Sequence, residues 1–476
     1  ELEYLRQQKF GLTDTILYHL TCIRPIFDTT INRNLITNIT QPLISDEEAT
    51  IRINLKQDDL IGPFCSNFPL LVPPPYPKTK HPELIFGVAS TYSRLSNPAT
   101  LFAFAHWLSG SKSRLILTIT DYHSLPPSST LPALVKLYSN HSILTTALPP
   151  PSPPPNFKNY TTPQLHFLLL SSMLSFSTPQ TTFLSLLDDD TFFPSLHTLS
   201  LSLSRYNPSL PLYLGAKSDS KSANAQYGEM AFGGAGIFVS VPLAKQLAPY
   251  QERCATEADK ELGGDGILKD CVYNFTETRL TELEGLWQGD VRGDVSGVFE
   301  AGGRQPSPPP LLSLHHWKTW FHAPVAQMAA VNQICGDCFL QRFITGHLPP
   351  NTTTTTTTNK TRQGLWVNGY SYTEYPPNSF PTDQDLSKVE ATWLYADEGD
   401  YDDAYGPMRP KMAQDQKKQW LLADAYWAGT QKSGRRGGQK KQFRQVYIYR
   451  APRILPGQEK ENKNAVDEVL EVVWEL

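Results

Sequence analysis

Apolar residues recur at two different periods through the middle of this chain, and the switching between them predicts its elements. Leu84-Ile-Phe-Gly-Val-Ala is an almost unbroken apolar run, the pattern of a short strand buried on both faces. Between Ala99 and Leu108, Leu101, Phe102, Ala105 and Leu108 fall at helical spacing. Leu115-Ile-Leu-Thr-Ile-Thr120-Asp121 reads as a second strand that ends in an acid. Pro163 to Phe176 predicts a helix leading into Thr181 to Leu187, a mostly apolar run with the β-branched Thr181 and Thr182 and the aromatic Phe183. Strands alternating with helices predict an α/β sheet of the doubly wound kind. The proline-rich Leu148 to Pro155 is a surface excursion between elements.

The flanks follow other patterns. Residues 1–80 read as a stem or lead-in ending in Val-Pro-Pro-Pro-Tyr-Pro, and residues 81–345 as the main α/β domain. Seven consecutive threonines, Thr352 to Thr358, cannot pack a core and mark residues 346–362 as a tether. In residues 363–476, the stretches Gln363 to Tyr372 and Phe443 to Tyr449 predict strands by their aromatic and β-branched content, hence a small β-rich appendage. Lys432 to Lys441, with Arg435 and Arg436 among glycines, reads as a surface loop.

Composition narrows the function classes. A formal charge of −4 over 476 residues excludes a general nucleic-acid surface, which needs a basic field. No apolar run reaches the ~18 residues that a membrane span requires. The sequons at Asn38, Asn140, Asn159, Asn274, Asn351 and Asn359 are glycosylation acceptors if the chain enters the secretory pathway. Its six cysteines, Cys22, Cys65, Cys254, Cys271, Cys335 and Cys338, then read first as disulfides. Cys335-Gly-Asp-Cys338 is a local disulfide or a pair of free thiols, since four zinc ligands are not at hand.

Asp188-Asp189-Asp190 follows the run that ends at Leu187, so three carboxylates stand where a buried strand leaves its sheet. Ligands bind at the carboxyl ends of such strands, and hard oxygens suit Mg²⁺ or Mn²⁺, which can neutralise a diphosphate. Gly233-Gly234-Ala235-Gly236 is a tight turn or a place where a ligand approaches the backbone; its spacing is not that of a dinucleotide fingerprint. Asp265 lies between Gly264 and Gly266, where a turn would also accept it, and His315 and His316 sit in the apolar segment Leu312 to Trp317.

In this order the four elements resemble the inverting glycosyltransferases of family 31, the Fringe and core 1 β1,3-galactosyltransferase group and especially its fungal Fringe-like branch. The resemblance runs from about Pro82 to Phe321, with an Asn-Gly-Tyr strand at Asn368 to Tyr370 and Glu390-Ala-Thr-Trp393 beyond it. It implies a GT-A type nucleotide-sugar-binding fold with a central mixed sheet. It also implies inverting, Mn²⁺- or Mg²⁺-dependent transfer of a hexose or N-acetylhexosamine from a UDP-sugar to a glycan or glycoprotein hydroxyl in a β1,3 linkage. Asp190 is then a direct metal ligand, Asp188 contacts ribose or a metal-bound water, and His315 completes the shell, with His316 an alternative. Asp265 is the catalytic base, with Asp270 and Asp294 as substitutes, although Gly264 stands where relatives often carry an acid. Ser90, Thr91, Asp121, Asp188, Asp189, Gly233, Gly234 and Ala235 are expected to meet the donor. Alignment on Cys271 favours a Cys254–Cys271 bridge. Family members are usually type II Golgi membrane proteins, so an anchor outside this chain and a Golgi-luminal or secreted location are implied. Two other classes compete: a catalytically inactive carbohydrate-binding or interaction protein on the same fold, and a metal-dependent hydrolase.

Overall fold

The structure, a computed structural model, describes residues 2–44, 50–57, 67–155, 157–259, 261–301, 311–346, 363–376, 381, 386–396, 399–413, 416–433, 438–452 and 466–476. The threonine run, Asn351, Asn359, Cys65, Arg435 and Arg436 lie outside these residues.

The predicted α/β region is built on a seven-stranded mixed sheet. Four strands are parallel neighbours: Phe183–Leu187, Leu84–Ser90, Arg114–Ile119 and Leu144–Leu148, in that spatial order. Ile237–Ser240 continues the sheet antiparallel to Phe183–Leu187, followed by Tyr213–Gly215 and Leu280–Glu282. The chain thus steps outward from Leu84–Ser90 in one direction for two strands, then returns to place Phe183–Leu187 on its other side. That reversal is a topological switch point, where a crevice opens at the carboxyl ends of two adjacent strands.

Unbroken apolar runs make these strands because both faces of the sheet are covered. Leu84, Phe86 and Val88 pack on one face with Leu101, Phe104 and Trp107 of helix Pro98–Leu108. Ile85 packs on the other with Phe167, Leu170 and Met173 of helix Thr162–Ser175. The second helix starts where Thr161 N–H donates to Gln164 Oε1 at 2.7 Å, a capping box with Pro163 in the first turn.

In residues 1–80, read as a stem or lead-in, Thr15–Phe27 pairs in parallel with Asp467–Glu475 and with Asn67–Val72, and antiparallel with Ile51–Asn54. These strands join the β-rich C-terminal strands Gln363–Val367, Ser371–Tyr375, Lys418–Ser433 and Gly438–Tyr449 in a ten-stranded sheet. Arg342–Thr345 also belongs to this sheet through Gln363–Val367. The physical reason is burial: Ile16, Tyr18, Ile23, Trp366, Trp420 and Trp474 are almost fully enclosed only when both chain ends come together.

Candidate active site

The acidic triplet sits at the switch point, and its three carboxylates diverge. The strand ends at Leu187, and Thr191 Oγ1 closes the turn by accepting from Asp188 N–H at 3.1 Å and donating to Gly234 O at 2.9 Å. Phe192 then makes a two-hydrogen-bond bridge with Leu314, each bond 2.8 Å. That bridge carries His315 to the triplet. His315 Nε2 lies 3.1 Å from Asp190 Oδ1 and 3.4 Å from Asp188 Oδ2, and Nδ1 faces Gln288 O at 3.1 Å.

One ring nitrogen is thus anchored on a carbonyl and the other turned to carboxylates, an arrangement that could hold a metal ion. Burial presses His315 toward neutrality, but the hydrogen bonds and charges of Asp188 and Asp190 prevail and raise it to about 10. Asp188 shows the reciprocal effect. Burial pushes its carboxyl up, yet the hydrogen bond and charge of His315, with His166 and His316 adding, hold it well below the usual carboxylate range. Carboxylate oxygen with one imidazole suits Mn²⁺ or Mg²⁺ rather than a thiolate-loving metal, so the residues fit the expected ion. His316 brings a ligand atom within 4.8 Å of those of Asp190 and His315. Its own Nε2 is engaged with Asp290 Oδ1 at 3.4 Å, and its ring stacks on Trp320 with centroids 3.7 Å apart.

Asp189 points elsewhere. Its oxygens accept from Arg94 Nη2 at 2.6 Å, Lys318 Nζ at 2.8 Å and Ser90 Oγ at 2.5 Å. Burial raises its pKa, but these partners lower it by more. Ser90 and Asp189, both expected to meet the donor, are hydrogen-bonded to each other and tie the two switch-point strands together. Thr91 Oγ1 accepts from Arg94 N–H, and Asp121 Oδ1 accepts from Tyr92 N–H at 2.9 Å, so these two shape the turn after Leu84–Ser90.

The glycine turn is explained by close approach rather than by backbone freedom at each position. A Cβ on Gly234 would lie 2.1 Å from the His315 ring, and one on Gly233 3.3 Å from His166 Cε1. Only Gly236 in this turn takes a positive φ, at 100°. Ala235 N–H donates to Gln288 Oε1 at 2.9 Å.

Asp265 opens helix Gly264–Phe275, its Oδ2 accepting Gly233 N–H at 3.2 Å and its Oδ1 accepting Gly266 N–H at 2.9 Å. Burial raises its pKa above the ordinary carboxylate value, Asp188 adds to this, and the Gly233 N–H and His166 only partly offset it. A carboxyl so shifted is better matched to proton abstraction near neutrality. Of the alternatives, Asp270 pairs with Lys269 at 3.1 Å on the half-exposed side of that helix, and Asp294 accepts Ser296 N–H at 2.9 Å.

Four residues escaped sequence reasoning. His166, from helix Thr162–Ser175, places Nε2 3.8 Å from Asp188 Oδ1. Gln288 and Asp290, in the loop from Trp287 to Asp294, hold His315 and His316. Asp219 lies behind that loop, accepting Gly289 N–H at 2.6 Å; burial and the charge of Asp290 raise it to about 7. His166 had one visible signal, a single polar position inside Leu165 to Leu170.

Of the cysteines, the pair that the resemblance implied is bonded, and the Cys335-Gly-Asp-Cys338 pair is a local disulfide rather than two free thiols. Cys254–Cys271 and Cys335–Cys338 are bonded, and Cys22 is also disulfide-bonded. Among the described residues no helix is long and apolar enough to cross a membrane.

Residues 223–336 match the family described as "Protein of unknown function, DUF604". No curated protein sequence matches the chain. Among solved structures, the glycosyltransferase GlyE of Streptococcus pneumoniae aligns at 13% identity over 44% of this chain and 46% of its own, with a TM-score of 0.27. The mannosyltransferase PcManGT of Pyrobaculum calidifontis, in complex with GDP-Man and Mn²⁺, aligns at 10% identity over 44% of this chain and 56% of its own, TM-score 0.28. Mouse xyloside xylosyltransferase 1 aligns at 10% identity over 42% of this chain and 84% of its own, TM-score 0.28. The chain thus spans about half the length of the first two.

Proposed function

We propose that this protein is a metal-dependent, inverting glycosyltransferase of the GT-A type that takes a UDP-sugar as donor and a glycan or glycoprotein hydroxyl as acceptor. One observation carries the reading: Asp188, Asp190 and His315 converge at the switch point while Asp265, with a raised pKa, stands across the Gly233 turn from them. The first three residues would hold Mn²⁺ or Mg²⁺, and the bound ion supplies positive charge against the donor's diphosphate. Asp265 takes the proton of the acceptor hydroxyl as its oxygen bonds to the anomeric carbon and the bond to the nucleoside diphosphate breaks. Gln288, through its carbonyl, keeps His315 turned to the carboxylates, and Arg94 and Lys318 keep Asp189 from competing for the same cation.

A secretory, Golgi-luminal or secreted setting is part of the proposal. It is supported by the disulfides and by Asn38, Asn140, Asn159 and Asn274, all exposed.

Calorimetry with UDP tests the reading. Binding is expected with Mn²⁺ and absent without it, and Asp190→Ala should weaken it at least ~100-fold, as for the loss of a charged ligand. Unchanged affinity in that variant refutes the metal assignment. Release of UDP without any acceptor at the rate of transfer would make the protein a hydrolase instead. Glycan affinity independent of Mn²⁺ and UDP would make it a binding protein.

A further inference from the structure

His166 is a group in the site that the proposed reaction leaves without a task. It sits one turn into helix Thr162–Ser175, where its neighbours Leu165, Phe167, Leu169 and Leu170 all enter the core. The imidazole is 7% exposed, and its Nε2 is enclosed without a hydrogen-bond partner. Asp188 Oδ1, at 3.8 Å, is too distant to serve as one. A buried donor or acceptor left unmatched costs free energy, so such an atom calls for a partner that arrives from outside the chain.

The surroundings say where that partner would lie. Gly233 and Gly264 both border the ring: a Cβ on Gly233 would stand 3.3 Å from Cε1, and one on Gly264 2.5 Å from Nδ1. The residue before Asp265 is therefore glycine because His166 and the Pro163 carbonyl, 2.7 Å from the same Cβ, fill the space a side chain would need. Gly233 in turn donates its N–H to Asp265. His166 is thus flanked by the carboxylate of Asp188 on one side and by the backbone that bears Asp265 on the other. In a nucleotide sugar, the part between the diphosphate and the face open to attack is the sugar ring itself.

We propose that His166 is a specificity-determining residue, its Nε2 forming a hydrogen bond with a hydroxyl of the transferred sugar. The inference rests on the reading of the site as a nucleotide-sugar site. A hydrogen bond to a sugar hydroxyl discriminates strongly between sugars, because the wrong one leaves a buried polar atom unmatched.

The test compares UDP alone with UDP-glucose, UDP-galactose and UDP-N-acetylglucosamine, each with Mn²⁺, by calorimetry on the unsubstituted chain, His166→Ala and His166→Gln. UDP affinity should stay within about twofold, whereas the preference for the best UDP-sugar over the others should shrink ~10-fold in His166→Ala, the loss expected for one hydrogen bond. Part of it should return in His166→Gln, whose amide can still bond a hydroxyl. An equal fall for UDP and every UDP-sugar would show that His166 only orders Asp188, and an unchanged preference would remove it from the site; either overturns the proposal. Failure of the unsubstituted chain to bind UDP with Mn²⁺ would instead refute the reading of the site, and the inference with it. Should the variants not fold, ¹⁵N-histidine spectra of the unsubstituted chain decide: the His166 Nε2 resonance should respond to the best UDP-sugar and not to UDP. A response to both, or to neither, overturns the proposal.

Discussion

In the C-terminal part, Glu390, Glu471 and Asp467 are as deeply buried as Asp190 at the switch point, yet each is matched by a fixed cation. Glu390 has Lys417 at 2.9 Å and Arg409 at 2.7 Å, Glu471 has Arg444 at 2.7 Å, and Asp467 has Arg450 at 3.1 Å with Ala451 N–H at 3.0 Å. Asp188 and Asp190 instead face His315, with His166 beside Asp188 and Thr319 Oγ1 3.3 Å from Asp190, while Asp265 has backbone N–H groups and a neighbouring imidazole. Arginine and lysine remain charged at any physiological pH, so the first set of acids is settled by folding. A histidine, even one raised to about 10 as His315 is, can give up its proton and leave the second set uncompensated, as an arginine cannot. Within the triplet itself, Asp189 follows the C-terminal pattern and Asp188 and Asp190 the other.

The comparison breaks first at Asp265. Asp265→Asn keeps the hydrogen-bond acceptor for Gly233 N–H but cannot take a proton, so transfer should fall by at least ~10²-fold with UDP and Mn²⁺ binding retained. Because its pKa is raised, the parental acid limb should stand above the usual carboxylate range. Transfer at the parental rate would show that the base lies elsewhere.

Next comes the contrast in stability. Glu390→Ala leaves Lys417 and Arg409 buried without their anion, which typically costs about 3–5 kcal/mol. Denaturant unfolding should register that loss, whereas Asp190→Ala should lose less than half as much. Equal losses would mean that the acids of the crevice are structural too.

The smallest effect concerns Asp219, whose burial raises its carboxyl to about 7. A carboxyl with a raised folded pKa contributes stability that is fully present below its unfolded pKa of about 3.9 and is lost as pH rises through about 7. Asp219→Asn carries no charge to bury. Its unfolding free energy should match the parent's near pH 4 and exceed it at pH 8, by on the order of a few kcal/mol at most. A variant less stable than the parent at pH 8 would show that the Asp219 charge is welcome where it sits.

The amino-acid sequence alone was enough to place Leu84–Ser90 and Phe183–Leu187 as core strands, because a strand covered on both faces must be apolar throughout. It was enough to place the acidic triplet at a strand tip, since charged residues end such a run. Resemblance added the order of the motifs and the Cys254–Cys271 bridge. Tertiary structure alone decided which of three adjacent carboxylates turn toward His315 and which turns away, because the choice depends on Arg94 and Lys318, one of which is more than a hundred residues away in the chain. It also decided that Thr15–Phe27 is a strand of the C-terminal sheet, a parallel pairing across some 450 residues that no local periodicity records. His166 and Gly264 were silent for the same reason. Each is unremarkable in its own helix, and only the close crossing of the two helices puts an unmatched imidazole where a side chain could have been.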